Sequence, residues 1–371
     1  MIPVNTPLLS GNEGKYLQQC IDTNWISSEG PFVKRFEKEF AVYNHRKYGI
    51  AVSSGSAALD IAVKSLDLPK GSEVIMPTFT IISPAASVIR AGLKPVLIDS
   101  KIDTWNMDVD QIEERITDRT KAIIVVHLYG LPVEMNKVIE IAKKYGLIII
   151  EDAAEMHGQE YNGQKCGSFG DISIFSFYPN KHITTGEGGM IVTDNSNLSE
   201  RCKSLRNLCF KNVRRYVHEE LGWNYRMTNL QAALGVAQLE KIDFHIEKKR
   251  WIGGVYNDLF KRIKNKIQLP LSNTNYSNNI YWIYGILANS EEQRDYILKV
   301  LADERIGSRT FFWCMHEQPV FQNMGLFKNE VYPVAEQLAR RGFYIPAGLG
   351  INEDEIVKVS EVVIKAINES I

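Results

Sequence analysis

The chain has little cysteine, no excess of charge of either sign and no long apolar run, and each shortage narrows what it can be. Among 371 residues there are five cysteines (Cys20, Cys166, Cys202, Cys209 and Cys314). Their odd number and lack of C-x-x-C spacing argue against a disulfide framework and against a zinc site, and a reducing cytosol fits them best. Forty-three basic residues stand against 44 acidic ones, a net charge of −1. No global field is therefore available to hold a polyanion such as nucleic acid, although a local basic pocket for a small anion stays open. No apolar run approaches the ~20 residues of a membrane-spanning helix. The opening MIPVNTPLLSGNEGKYLQQC has no basic stretch followed by an apolar one. Repeats and low-complexity tracts are missing as well. The expectation is a soluble cytoplasmic protein with no nucleic-acid partner, no membrane and no metal.

What is present is apolar material, 44% of the chain, enough for one sizeable core and a smaller second one. Between residues 48 and 194, short β-branched runs (YGIAVSS, GSEVIMPTFT, KPVLIDS, KAIIVVHLYG, GLIIIEDAA, DISIFSF and GGMIVTD) alternate with amphipathic stretches such as SAALDIAVKSL and EMNKVIEIAKKYG. Runs apolar on both faces suit strands covered on both sides, as in a mostly parallel sheet flanked by helices. The fold class expected is α/β. Residues 229–262 keep helical spacing for longer than any earlier segment, and YWIYGILA, SEEQRDYILKVLADERI and DEIVKVSEVVIKAINESI follow. This pattern divides the chain into a large α/β unit, residues 1–245, and a small α+β unit, residues 246–371.

Open α/β sheets bind ligands at the carboxyl ends of their strands, and four segments fall there. In VSSGSAALDIA a strand enters a helix through Ser53-Ser54-Gly55-Ser56, which offers free amides to an anion, or reads as an ordinary serine cap. In LIIIEDAAEMHG, Asp152 ends an apolar strand and needs a cationic partner such as a protonated heterocyclic nitrogen, unless it caps the next helix with Glu151 solvated. In SFYPNKHITTGEGGM, Lys181 follows a strand that Pro179 halts. A lysine there is a partly desolvated nucleophile toward carbonyls, or a surface-loop lysine. In GWNYRMTN, Asn224 and Arg226 precede a long helix and suit an interface or an anion contact. The order of phosphate cradle, strand-end aspartate and lysine is that of an enzyme holding pyridoxal 5′-phosphate (PLP).

On these motifs, together with TNWISSEGPFVKRFEKEFA, VHLYG and GSFGD, the chain resembles the DegT-like nucleotide-sugar aminotransferases of PLP fold type I over nearly its whole length. Its WISS-x-G start, Glu155 in EDAAE and the intact ITTGEGG are most similar to the GDP-perosamine synthase-type sugar 4-aminotransferases. The resemblance implies that Gly55, Ser56 and Ser176 hold the cofactor phosphate, that Asp152 pairs with the pyridine nitrogen and that Glu155 sits near the 3-oxygen. It makes Lys181 the Schiff-base lysine. Asn224 and Arg226 would reach the phosphate from a neighbouring subunit, so the active unit would be a homodimer. His316 takes a family position near the substrate, or is a structural histidine. Arg309, Arg214 and Arg215 are candidates for a pyrophosphate, solvated surface being the commoner fate of an arginine. Ile81 departs from the family, which usually places a ring-stacking aromatic there, and Phe79 is the other residue able to turn toward the cofactor. His182 is the lysine's neighbour and not its replacement.

The activity implied is transfer of an amino group from L-glutamate to a nucleotide-linked 4-keto-6-deoxy hexose. Its 4-amino-4,6-dideoxy product would feed surface polysaccharide such as lipopolysaccharide O-antigen. Amination at C3, a UDP- or dTDP-linked substrate, a PLP-dependent sugar dehydratase and a binding protein without turnover are the alternatives.

Overall fold

The computed structural model describes residues 1–211 and 213–370. Twelve strands occur among them: β1 (Tyr48–Val52), β2 (Glu73–Pro77), β3 (Lys94–Ile98), β4 (Thr120–Val126), β5 (Ile148–Asp152), β6 (Glu160–Tyr161), β7 (Gln164–Lys165), β8 (Ile172–Ser176), β9 (Gly189–Thr193), β10 (Tyr284–Leu287), β11 (Arg309–Thr310) and β12 (Gly342–Ile345). Seven of them form the main sheet in the order β1-β9-β8-β5-β4-β2-β3. These are the seven apolar runs of the sequence. Pairing is parallel from β8 through β5, β4 and β2 to β3, and antiparallel where β9 meets β8 and β1. Two reversals through β9 return β1 to the common direction, so β1, β5 and β8 end on the same edge of the sheet.

The residues between strands form helices for local reasons. Ser54 accepts from the Ala57 amide and starts the helix Gly55–Ser65. Met135–Tyr145 ends in Lys143 and Lys144 and closes on Gly146 at φ 64°, the left-handed conformation glycine takes without strain. The long helical stretch of the sequence is two helices, Asn229–Leu239 and Ile242–Phe260, separated at Glu240 and Lys241. A capping box at Thr228 and Gln231 begins the first. Both faces of the main sheet are covered by buried apolar side chains.

A second core gathers around the three-stranded antiparallel sheet β10-β12-β11. Tyr256 and Phe260 from the helix Ile242–Phe260 pack there with Tyr284, Phe343 and Val359. Ile2 joins the same core, its amide donating to Arg305 O and its carbonyl accepting from Gly307. The two sheets meet where Asn5 Nδ2 donates to Pro179 O (2.9 Å) and Trp282 Nε1 donates to Asn180 O (2.9 Å). No helix among the described residues is long and apolar enough to cross a membrane.

Candidate active site

The edge where β1, β5 and β8 end carries a cavity of about 310 Å³, bordered by Ser54, Gly55, Ser56, Asp152, Glu155, Ser176 and Lys181. This is within the range of small-molecule sites. The polar groups arrive from three strand ends, those of β1, β5 and β8. Ser54 to Ser56 form the turn from β1 into its helix, and Ser56 Oγ lies 2.8 Å from Ser83 Oγ. Gly55 is required by contact: a Cβ there would stand 2.8 Å from Ser176 Cβ. Asp152 closes β5 and Ser176 closes β8. Ser54 is thus a helix cap, and it borders the cavity together with the next two residues.

Asp152 caps no helix. Its Oδ1 accepts from the Ala154 amide (3.1 Å), and burial pushes its pKa up to about 6. Glu155 Oε2 accepts from the Tyr129 amide (2.7 Å), and burial raises its pKa to about 8. The charge of Lys181 opposes that rise at both carboxyls, but burial outweighs it. Lys181 borders the cavity and is only partly covered, but burial still draws its pKa down while the charges of Glu155 and Asp152 oppose that shift. Its Nζ stands 3.9 Å from the centre of the Trp282 ring, a cation–π contact. Behind it, His157 and His182 are buried, and their ring nitrogens have no hydrogen-bond partner among the described residues.

A glycine that leaves room for an anion, a desolvated carboxyl for a protonated ring nitrogen and an amine with lowered pKa are the features PLP requires. The residues fit the group.

Several sequence expectations change. Glu151 is not solvated: it is fully buried and accepts from the amides of Gly167, Phe169 and Gly170 and from Ser173 Oγ, with His127 Nε2 at 3.1 Å. Phe79 does not turn to the cavity but packs against Tyr129, Phe311 and Phe312, whereas Ile81 borders it. His316 does not border it either. Its Nδ1 lies 2.8 Å from Thr78 Oγ1 and its Nε2 3.1 Å from Glu336 Oε1, which occupies both nitrogens with protein partners. Asn224 and Arg226 lie outside the cavity of their own chain; Asn224 is exposed, and Arg226 Nη1 donates to Asn207 Oδ1. Arg309 lines an adjoining cavity of about 390 Å³ that shares Tyr178, Asn180, Trp282 and Tyr344 with the first. Arg214 and Arg215 are exposed; Asn212, in the same KNVRRYVHE segment, lies outside the described residues.

Sequence reasoning missed Trp282 and Tyr344 on the cavity wall, and reached Phe312 only as part of SRTFFWCMHEQ, a stretch expected to carry nucleotide contacts. YWIYGILA carries a strand-like apolar pattern, and nothing local distinguishes a cavity-facing Trp from a core one. Tyr178, three residues before Lys181, was within reach of motif reasoning.

The DegT/DnrJ/EryC1/StrS aminotransferase family model matches residues 7–364. The chain is 40% identical over 360 residues to the GDP-perosamine synthase of Escherichia coli O157:H7, with 97% of each chain covered. It is 36% identical over 361 residues to the GDP-perosamine synthase of Vibrio cholerae, again with 97% of each covered. Helicobacter pylori PseC, an aminotransferase involved in the biosynthesis of pseudoaminic acid, shares the fold with a TM-score of 0.93 at 24% identity, covering 99% of both chains. The strand-end lysine, the two desolvated carboxyls and the glycine cradle therefore belong to a PLP-dependent enzyme, and the chain is a member of the DegT/DnrJ/EryC1/StrS aminotransferase family.

Proposed function

We propose that this protein is a sugar-nucleotide 4-aminotransferase of GDP-perosamine synthase type, taking its amino group from L-glutamate and passing it to a GDP-linked 4-keto-6-deoxy hexose. The observation that carries the chemistry is the convergence of Lys181 with Asp152 and Glu155 beside the Ser54–Ser56 turn in one cavity. Full-length identity to two GDP-perosamine synthases supports the substrate.

In this reading Gly55, Ser56 and Ser176 bind the phosphate of PLP, Asp152 holds a proton on the pyridine nitrogen and Glu155 faces the 3-oxygen. The cofactor supplies an electron sink for the charge left when a C–H bond beside nitrogen breaks. Lys181 would hold the cofactor covalently through its amine, and the same amine would serve as the base that takes the substrate's α-proton and the acid that returns it. A lowered amine pKa serves that role, because a base must be unprotonated near neutral pH to act. The Trp282 ring covers one side of the amine. Arg309, in the adjoining cavity, meets an anionic part of a substrate. Asn224 and Arg226 complete the phosphate site of a second copy, so the working unit is a homodimer in the cytoplasm, and the product enters surface polysaccharide such as O-antigen. Residues 1–245 form the cofactor-binding unit and residues 246–371 the smaller one.

Lys181→Ala tests the anchor. The purified variant should lose borohydride-reducible visible absorbance and all turnover, and retention of both would refute the assignment. Incubation with glutamate and a panel of GDP-, UDP- and dTDP-linked keto sugars, with the amine position read by NMR, tests the substrate. Amination at C4 of the GDP-linked sugar is expected. Preference for another nucleotide, or amination at C3, would replace that substrate and leave the transamination intact.

A further inference from the structure

Beneath the cavity lies a buried lysine that the chemistry above does not use. Lys249, midway along the helix Ile242–Phe260, is 3% exposed. No carboxylate pairs with it among the described residues, and burial alone lowers its pKa to about 7. Its Nζ donates to two carbonyls, Trp282 O at 2.8 Å and Ala347 O at 2.5 Å. Trp282 lies just before β10 and Ala347 just after β12, and these strands are paired there through Tyr284 and Ile345. One side chain thus ties both strands at the end that meets the cavity. Farther along the same helix, Tyr256 Oη donates to Pro346 O (2.6 Å), a second tie to the same segment.

The linkage continues into the site. Held by its carbonyl, Trp282 donates from Nε1 to Asn180 O (2.9 Å), and its ring faces the Lys181 amine at 3.9 Å. Asn180 is the residue before Lys181. An apolar side chain of similar volume would fill the space at Lys249 without the cost of burying an amine. The amine gives directed bonds to two carbonyls that would otherwise be unsatisfied.

We propose that Lys249 is a positioning residue for the transamination: by holding the Trp282 and Ala347 carbonyls it fixes the Trp282 ring, and the ring with Asn180 fixes the Lys181 amine. This rests on the reading of Lys181 as the cofactor's anchor.

Holoenzymes carrying Lys249→Met, Lys249→Arg and Trp282→Phe test it, read by circular dichroism, by pH titration of the visible chromophore, and by separate kcat and KM values. For Lys249→Met we expect a folded protein, a displaced chromophore midpoint and a kcat lower by ~10-fold or more, the scale of a small misplacement of a reacting group. KM for the nucleotide sugar should change less. Lys249→Arg, with donors for both carbonyls, should restore the midpoint and most of kcat. A Lys249→Met enzyme that is less heat-stable but keeps the wild-type midpoint and kcat would overturn the proposal, since Lys249 would then serve stability alone. If Lys249→Met does not fold, Trp282→Phe decides: it keeps both carbonyls and loses only the indole, and an unmoved midpoint with unchanged kcat overturns the link. A wild-type enzyme without a reducible chromophore would overturn the Lys181 reading and this proposal together, whereas a chromophore unmoved in the variants overturns this proposal alone.

Discussion

Asp152 and Glu155 are three residues apart in sequence, and burial raises the pKa of both, yet their hydrogen bonds differ. Asp152 accepts from Ala154 two residues on, so its carboxyl is held by its own turn, while Glu155 reaches the Tyr129 amide after β4. Asp152 is thus set mainly by β5, and it can be changed with little disturbance elsewhere. Asp152→Asn should leave the circular dichroism spectrum unchanged and slow the half-reaction with glutamate by on the order of 10²-fold, the usual cost of losing one preorganised electrostatic partner. Stopped-flow absorbance with glutamate alone would measure it, and an unchanged rate would remove Asp152 from its role. Gly55→Ala makes a steric claim at the same scale: with Ser176 Cβ 2.8 Å from the new methyl, the cradle must widen. Dialysis should strip the cofactor from this variant faster than from the wild type.

At the scale of elements, the loop between β7 and β8 is clamped from two sides. Buried Arg46 donates to Gly167 O (2.9 Å), Gly170 O (2.5 Å) and Ser173 Oγ (3.2 Å), and Glu151 accepts from the amides of Gly167, Phe169 and Gly170. Burial alone would raise the Glu151 pKa, but the His127 contact and the amides outweigh it and hold it down at about 2. A carboxyl lower in the folded state than in the unfolded one stabilises above the ordinary carboxylate range, and that stability is lost as pH falls from about 4.5 toward 2. Glu151→Gln should cost ~1 to 3 kcal/mol, the range for weakening buried hydrogen bonds to a charged acceptor, and urea unfolding at neutral pH would show it.

Glu151 also marks where sequence reading stops. The seven strands of the main sheet were legible because each is apolar on both faces, and Lys181, Asp152 and Gly55 were legible because strand ends collect ligands. A glutamate beside an aspartate gives no sign of which one faces a loop and which a cavity. The hairpin β6–β7 was overlooked although its turn, Asn162-Gly163, has positive φ at both residues, which favours this pair. The break at Glu240 and Lys241 leaves no glycine or proline to announce it. Trp282 was hidden because its partners, Lys181 and Asn180, lie about a hundred residues away, a pairing that only the tertiary fold supplies.

For the molecule as a whole, the cavity sets a pH dependence that the cofactor should flatten. Folded Asp152 and Glu155 keep protons that the unfolded chain releases near pH 4, since their pKa values stand at about 6 and about 8. Between those limits the folded state binds more protons, so the cofactor-free protein should lose stability as pH rises from about 5 to 8. A protonated ring nitrogen beside Asp152 changes the sign of that environment and favours the charged carboxylate. Thermal unfolding with and without PLP should show Tm falling with pH in the cofactor-free protein and a flatter profile in the holoenzyme. Parallel profiles would mean that the cofactor does not engage these carboxyls.

The cavity wall is assembled from distant parts of the chain: Ser54 to Ser56 near the start, Asp152 to Glu187 in the middle, then Trp282, Phe312 and Tyr344 toward the end. During synthesis the cradle, the aspartate and the lysine all leave the ribosome well before the tryptophan and tyrosine that enclose them. A truncated nascent chain would carry the chemical groups of the site without its walls. Tight retention of the cofactor can therefore begin only after Tyr344 has been made and folded into the wall.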